Sequence, residues 1–283
     1  MTRVLSALVM LPVVIGTIWF LPPAATFVLA LVAAVLAFSE YRSMAGALGA
    51  EVPMITGATL VALLCFAMWR ADNDGLAGAF PNVVYLALMA GLIVAGAAAV
   101  ARGRPAPGSL ADAAAMIFGA VYLGLPLGAL AWTRGGNGVM ATPDFIVDLP
   151  DGRLRVLLLM AVIVVSDSAQ YYTGRAFGRR PLAPAISPKK TVEGAIGGVV
   201  FGTFAMALGG QYVFASPTWI LALLGAAISL LGIVGDLFES LLKRSAGIKD
   251  SSHLIPGHGG VLDRIDSWLF AAPVYYVFVR FVA

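Results

Sequence analysis

Residues 217–238 read PTWILALLGAAISLLGIVGDLF, a run whose only ionisable side chain is Asp236. An α-helix needs roughly 20 mostly apolar residues to cross the hydrocarbon core of a bilayer. The run therefore predicts a transmembrane helix with one carboxyl group near its C-terminal end. A charge at membrane depth costs about 2.5–3.5 kcal/mol on insertion scales, so Asp236 is a candidate functional residue.

The composition of the whole chain is that of a membrane protein. Of its 283 residues, 60% are hydrophobic and 12% are charged, whereas soluble domains average about 45–50% apolar and about 25% charged residues. This excludes a water-soluble globular protein, a disordered chain and a basic nucleic-acid binder. The single cysteine, Cys65, lies in an apolar run and excludes an intrachain disulfide.

Eight further apolar segments accompany the first. We predict an all-α fold, a polytopic integral membrane helical bundle of about nine transmembrane helices. Residues 1–150 would supply N-terminal helices and residues 151–283 a catalytic region of the same membrane domain. Eight spans remain an alternative, because two segments are short and two carry polar residues at one end. The predicted spans are Val4–Leu21, Pro23–Phe38, Pro53–Trp69, Val83–Ala101, Ala113–Trp132, Leu154–Tyr172, Val192–Phe214, Pro217–Phe238 and Val261–Val282.

The distribution of basic residues predicts the orientation. The first segment lacks a clear cleavage site, so we expect it to stay as an anchor rather than to be a signal peptide. With the N-terminus inside, thirteen of the 18 Lys and Arg residues face the cytoplasm, as the positive-inside rule favours. Loops 175–191 and 239–260 are then cytoplasmic. We expect a bacterial inner membrane protein whose active site faces the cytoplasm.

Two polar segments precede the seventh span. Asp167 and Gln170 share a helix face at the end of the sixth span, although an interfacial helix end would look similar. In Ser187–Gly194, Lys189 and Lys190 precede a plausible N-cap, Thr191. A helix N-terminus beside two lysines is typical of a phosphate site, while the positive-inside rule alone is the competing explanation.

The segment from Asp236 to Asp266 is the most informative. Asp236 ends the eighth span, and Asp263 and Asp266 begin the ninth. The glycine-rich run 256–260 between them lets the backbone approach a ligand closely. Carboxylates suit Mg²⁺, and basic residues suit phosphates. The pattern predicts Mg²⁺-dependent phosphoryl or nucleotidyl transfer at the membrane face.

The runs 240–244, 249–250 and 258–266 together resemble the signature of the phosphatidate cytidylyltransferase (CDP-diacylglycerol synthase) family. Segments 187–194 and 167–178 resemble two further blocks of that family, so the resemblance covers roughly residues 160–283. It implies that CTP and phosphatidate give CDP-diacylglycerol and pyrophosphate in phospholipid biosynthesis. It also implies dependence on Mg²⁺ with a second metal ion in a paired centre.

The resemblance also implies roles for individual residues. Asp236 and Asp263 would be metal ligands, and with Lys243 and Arg264 they would be catalytic. The expected partners are CTP, phosphatidate and the lipid bilayer but not nucleic acid, and a homodimer is left open. The residues implied in substrate binding are Lys189, Lys190, Lys243, Arg244, Lys249, His258, Gly259, Gly260, Asp167 and Asp266.

Two other functions stay open. A related CTP-dependent enzyme could use another lipid acceptor, such as an isoprenoid alcohol or an ether-lipid phosphate. An ion-coupled transporter could also place Asp167, Asp236 and Asp263 inside a helical bundle. A transporter would not need the lysine, arginine and glycine cluster on the cytoplasmic side.

Overall fold

The computed structural model describes residues 2–71, 80–101, 108–135, 152–252, 254–255, 257 and 259–283. The described part of the chain contains nine α-helices and one short hairpin. The helices are α1 (Thr2–Phe20), α2 (Pro23–Ala47), α3 (Met54–Arg70), α4 (Phe80–Ala101), α5 (Ser109–Gly135), α6 (Arg153–Phe177), α7 (Val192–Gly209), α8 (Thr218–Ser245) and α9 (Leu262–Phe281). The predicted all-α class is confirmed, and each predicted span overlaps one helix, although α2 continues nine residues beyond the predicted Phe38 to Ala47.

Fewer of the described helices meet the length and hydropathy needed to cross a membrane than the nine that were predicted to do so. Among the described residues, five helical segments are long and apolar enough to cross a membrane: α2, α5, α6, α8, and α7 together with the 3₁₀ turn Gly210–Tyr212 that follows it. The apolar segments Leu8–Phe20, Met54–Arg70 and Val84–Ala98 are shorter. The chain is thus an integral membrane protein, while nine crossings are not confirmed.

A two-stranded antiparallel hairpin between α6 and α7 is an element that hydropathy did not predict. Strand β1 (Pro181–Ala183) pairs with β2 (Ser187–Thr191), which carries Lys189 and Lys190. Its strands are short and polar, so they give no periodic signal. The predicted N-cap is confirmed, because Thr191 Oγ1 accepts a hydrogen bond from the Gly194 N–H at 3.1 Å.

Contacts divide the chain into two compact units. Unit 1 comprises residues 1–132 and 242–265, and unit 2 comprises residues 133–241 and 266–283. In unit 1, Phe38 and Leu123 are fully buried. Helices α3 and α5 approach closely, since a Cβ on Gly128 would lie 2.6 Å from the Cys65 carbonyl oxygen.

In unit 2, the glycine-bearing face of α7 packs directly on α6. A Cβ added to Gly198 would lie 2.3 Å from Gln170 Cγ, and one added to Gly194 would lie 2.8 Å from the Gln170 carbonyl oxygen. This close packing fixes the end of α6 that carries Asp167 against the start of α7. The other side of α7 exposes Phe201, Phe204 and Leu208, as expected for contact with acyl chains.

Candidate active site

The first candidate cluster, the Asp236 cluster, lies in unit 2 and consists of Asp167, Lys190, Asp236 and Asp266. The Lys190 ammonium group forms an ion pair with Asp236 Oδ2. The carboxylates of Asp167 and Asp266 both interact electrostatically with Asp236 and with Lys190. Lys190 thus pairs with Asp236, and the carboxylates of Asp167 and Asp266 lie within electrostatic range of that pair.

Local packing accounts for this cluster. A Cβ on Gly235 would lie 2.5 Å from the Asp266 carbonyl oxygen, so the two backbones approach closely beside Asp236. Gln170 Nε2 donates to Asp167 Oδ1 at 3.1 Å, in line with the predicted shared helix face. The hairpin is held to α7 by Glu193, whose Oε2 accepts the N–H groups of Arg179 at 2.9 Å and Arg180 at 3.2 Å.

The second candidate cluster, the Asp263 cluster, lies in unit 1 and consists of Glu40, Lys243, Ser251, Gly260 and Asp263. Lys243 Nζ lies 2.5 Å from Asp263 Oδ1, and the two side chains are only 11% and 8% exposed. Asp263 Oδ2 accepts the Ser251 hydroxyl at 2.7 Å and the N–H groups of Gly260 and Ser251 at 2.8 and 3.1 Å. Asp263 is thus held by one cation and three further hydrogen bonds.

Two glycines, Gly259 and Gly260, are required by the packing around this carboxylate. Gly259 has a φ of +80°, which L side chains rarely adopt, and a Cβ there would lie 2.7 Å from Asp263 Oδ2. A Cβ on Gly260 would lie 2.0 Å from Ser251 Oγ and 2.4 Å from Glu40 Oε2. Both glycines therefore allow the backbone to pack against side chains of the cluster.

Four other sequence-predicted residues lie outside the two clusters. The side chains of Lys189, Lys249 and Arg264 are exposed, and Arg244, also exposed, donates to the Ile248 carbonyl at 3.2 Å. Their exposure leaves them accessible to a soluble anion. His258 lies outside the described residues.

The predicted Mg²⁺ can be tested against the donor atoms. Among the residues that the structure describes, no three His, Cys, Asp or Glu side chains converge as a metal site. Asp236 is instead paired with Lys190, and Asp263 with Lys243. In donor type Asp236 and Asp263 still fit a hard divalent cation, because each offers carboxylate oxygens and Mg²⁺ is usually bound through one or two carboxylates together with phosphate oxygens.

Comparison with known proteins identifies the family. The family model described as "Cytidylyltransferase family" matches residues 1–282. The chain belongs to this family. The match extends the resemblance found in residues 160–283 of the sequence over the N-terminal helices as well.

Three individual relatives of this cytidylyltransferase-family chain follow, two of which are named phosphatidate cytidylyltransferase. It is 37% identical over 193 residues to the uncharacterized protein YnbB of Escherichia coli, a match covering 68% of this chain and 62% of that protein. It is 46% identical over 134 residues to a phosphatidate cytidylyltransferase of Synechocystis, covering 47% and 45%. A phosphatidate cytidylyltransferase of Mycobacterium bovis is 31% identical over 273 residues, covering 94% and 83%. The chain thus spans about half to two thirds of the length of the first two relatives and more of the third.

Sequence reasoning missed two members of the site. Glu40 lies just beyond the end of the second predicted span. A charged residue is common where a transmembrane helix leaves the membrane, so Glu40 did not stand out. Ser251 lies in a polar loop among several similar residues. The hydrogen bond from Ser251 to Glu40 joins residues 211 positions apart, so no local pattern could have revealed it.

Proposed function

We propose that this chain is a membrane-embedded phosphatidate cytidylyltransferase that converts CTP and phosphatidate to CDP-diacylglycerol and pyrophosphate. The observation that carries the proposal is the family match over residues 1–282, supported by relatives that bear this name. The two carboxylate–lysine pairs agree with it, since phosphoryl-transfer chemistry is mostly positioning and charge neutralisation.

In the proposed reaction, a phosphate oxygen of phosphatidate attacks the α-phosphorus of CTP. The bond between the α-phosphorus and the oxygen that bridges it to the β-phosphate breaks, and pyrophosphate leaves with that oxygen. The chain needs no general base, because phosphatidate is largely ionised at neutral pH. Lys190 and Lys243 would neutralise phosphate charge, and the exposed Lys189, Arg244, Lys249 and Arg264 would attract the nucleotide.

Asp236 and Asp263 remain the proposed metal ligands, each in its own cluster. Mg²⁺ would neutralise charge on the triphosphate and on the leaving pyrophosphate. Lys190 and Lys243, which now neutralise these carboxylates, would then be available to phosphate oxygens. A second metal ion and a homodimer stay predictions, as do the inner membrane location and the absence of a nucleic-acid partner.

The test is cytidylyl transfer by the purified chain in detergent. Labelled CTP and Mg²⁺ are supplied with phosphatidate, an ether-lipid phosphate or an isoprenoid alcohol. CDP-lipid and pyrophosphate are quantified for the two lipid phosphates, and lipid phosphate and CDP are quantified for the alcohol, which has no phosphate of its own. We expect equimolar products and a preference for phosphatidate. Preference for another acceptor would favour the related enzyme, and failure with every lipid would contradict the proposal.

A further inference from the structure

Glu40 is a buried carboxylate of α2 to which the proposed reaction gives no role. The residue is only 4% exposed. Its Oε1 accepts hydrogen bonds from Ser252 Oγ at 2.6 Å and from the Val261 N–H at 2.9 Å. Its Oε2 accepts the Ser251 hydroxyl at 2.9 Å and the Leu262 N–H at 2.8 Å. All four donors belong to residues 251–262, more than 200 positions along the chain.

Two of these bonds cap a helix from outside. Helix α9 begins at Leu262, and the first N–H groups of a helix have no partner within it. Glu40 receives the N–H groups of Val261 and Leu262, and its negative charge lies at the positive end of the α9 dipole. Helix α2 therefore fixes the point at which α9 starts.

The same carboxylate supports the groups that hold Asp263. The one proton of the Ser251 hydroxyl is shared between Glu40 Oε2 and Asp263 Oδ2, which lie 2.9 and 2.7 Å from its oxygen. Gly260, whose backbone fits against Glu40, donates its N–H to Asp263 Oδ2 at 2.8 Å. Two groups that orient Asp263 thus rest on Glu40.

We propose that Glu40 is a positioning residue for cytidylyl transfer, which anchors loop 246–261 and the start of α9 so that Asp263 keeps its orientation. The proposal rests on the proposed function for its link to catalysis. Its structural half, the anchoring of the loop, can be tested without any substrate.

Glu40→Gln is the informative substitution. It keeps the size of the side chain but replaces one acceptor oxygen with an amide donor. A serine hydroxyl can rotate to accept from that amide, whereas the N–H of Val261 or Leu262 cannot. One backbone donor therefore loses its partner, and the loop should open more often.

Limited trypsin digestion of the full chain in detergent measures that opening. Lys249 is exposed in the anchored loop, and Arg179 and Arg180 are exposed before the hairpin that Glu193 holds. We expect Glu40→Gln to raise the cleavage rate at Lys249 about fivefold or more, with little change at Arg179 and Arg180. Glu193→Ala is the matched control: it removes the one oxygen that accepts from Arg179 and Arg180, so it should have the reciprocal effect.

Kinetics test the link to catalysis. Glu40→Gln should lower kcat about tenfold, with KM for CTP and for phosphatidate changed less than about threefold, since we propose that Glu40 acts through Asp263 rather than on a substrate. Thr26→Val removes another buried polar group from α2 and should leave cleavage and kinetics unchanged.

Unchanged cleavage at Lys249, or equal acceleration at both places, would contradict anchoring by Glu40. Faster cleavage with an unchanged kcat would contradict its role in the reaction. If the wild-type chain transfers no cytidylyl group, the proposed function and the catalytic half of this inference both fail. The cleavage rate at Lys249 would then test only whether Glu40 anchors the loop.

Discussion

At the scale of single residues, Asp236 and Asp263 carry the sharpest prediction. Asp236→Asn and Asp263→Asn keep the size of the side chain but remove the charge that Lys190 and Lys243 now balance. We expect each substitution to lower kcat about 10³-fold, which corresponds to roughly 4 kcal/mol of transition-state stabilisation. The measurement is turnover as a function of Mg²⁺ concentration, with the melting temperature recorded in parallel.

Asp112→Asn is a suitable control, because Asp112 lies in the first turn of α5, where its Oδ1 accepts the Glu51 N–H at 2.8 Å. It should keep turnover near the wild-type value. An Asp236 or Asp263 variant with wild-type turnover and an unchanged Mg²⁺ dependence would show that this aspartate is not a metal ligand.

Lys190 and Lys189 make a matched pair on strand β2. Lys190 forms an ion pair with Asp236, whereas the Lys189 side chain is exposed. We expect Lys190→Ala to lower kcat/KM about 10²-fold, because it removes a charge held at the site, and Lys189→Ala to have a smaller effect at the rim. Steady-state kinetics with each substrate varied in turn measure both. Equal effects would mean that the hairpin supplies only general positive charge.

At the scale of elements, the packing of α7 on α6 depends on glycine. A Cβ at position 194 would lie 2.8 Å from the Gln170 carbonyl oxygen and 3.2 Å from Gly174 Cα, both backbone atoms that cannot easily move. Gly194→Ala should therefore destabilise the protein by about 1–3 kcal/mol, the usual cost of overpacking. Thermal unfolding in detergent measures this loss.

Gly96→Ala is the control for that substitution. Position 96 lies in α4, and a Cβ there meets nothing within 4 Å. Alanine has the higher helix propensity, so this variant should be neutral or slightly stabilising. If both variants melt at the wild-type temperature, the close approach of α6 and α7 does not contribute to stability.

The sequence predicted elements better than it predicted contacts. Each apolar run became a helix, because burial of apolar residues and internal backbone hydrogen bonding are both local requirements in a bilayer. The Thr191 N-cap could be predicted because it too is a local feature: the N–H group that it caps is only three residues away. The hairpin and the Glu40 anchor were not predicted. Their stability comes from contacts between distant or irregular segments, which leave no periodic pattern.

At the scale of the whole molecule, the N-terminal helices matter more than their composition indicated. The recognisable motifs lie within residues 160–283, yet the family match extends over residues 1–282. Glu40 gives one physical reason, because an N-terminal helix supplies the carboxylate that caps α9. A chain lacking α2 would leave those N–H groups without their acceptor.

The predicted orientation of the whole chain can be tested at the two ends of α8. Exposed Ala215 precedes this helix and exposed Ser245 ends it. The charge distribution predicts that Ser245 faces the cytoplasm and Ala215 the opposite side.

In a Cys65→Ala background, Ser245→Cys should resist an impermeant thiol reagent in intact cells and react after permeabilisation. Ala215→Cys should react in both conditions, because the predicted orientation places it across the membrane from the proposed site. The reverse pattern would place Asp236 and Lys243, which lie towards the C-terminal end of the same helix, on the side away from cytoplasmic CTP. A cytidylyltransferase could not work in that orientation, so the labelling pattern also bears on the proposed function.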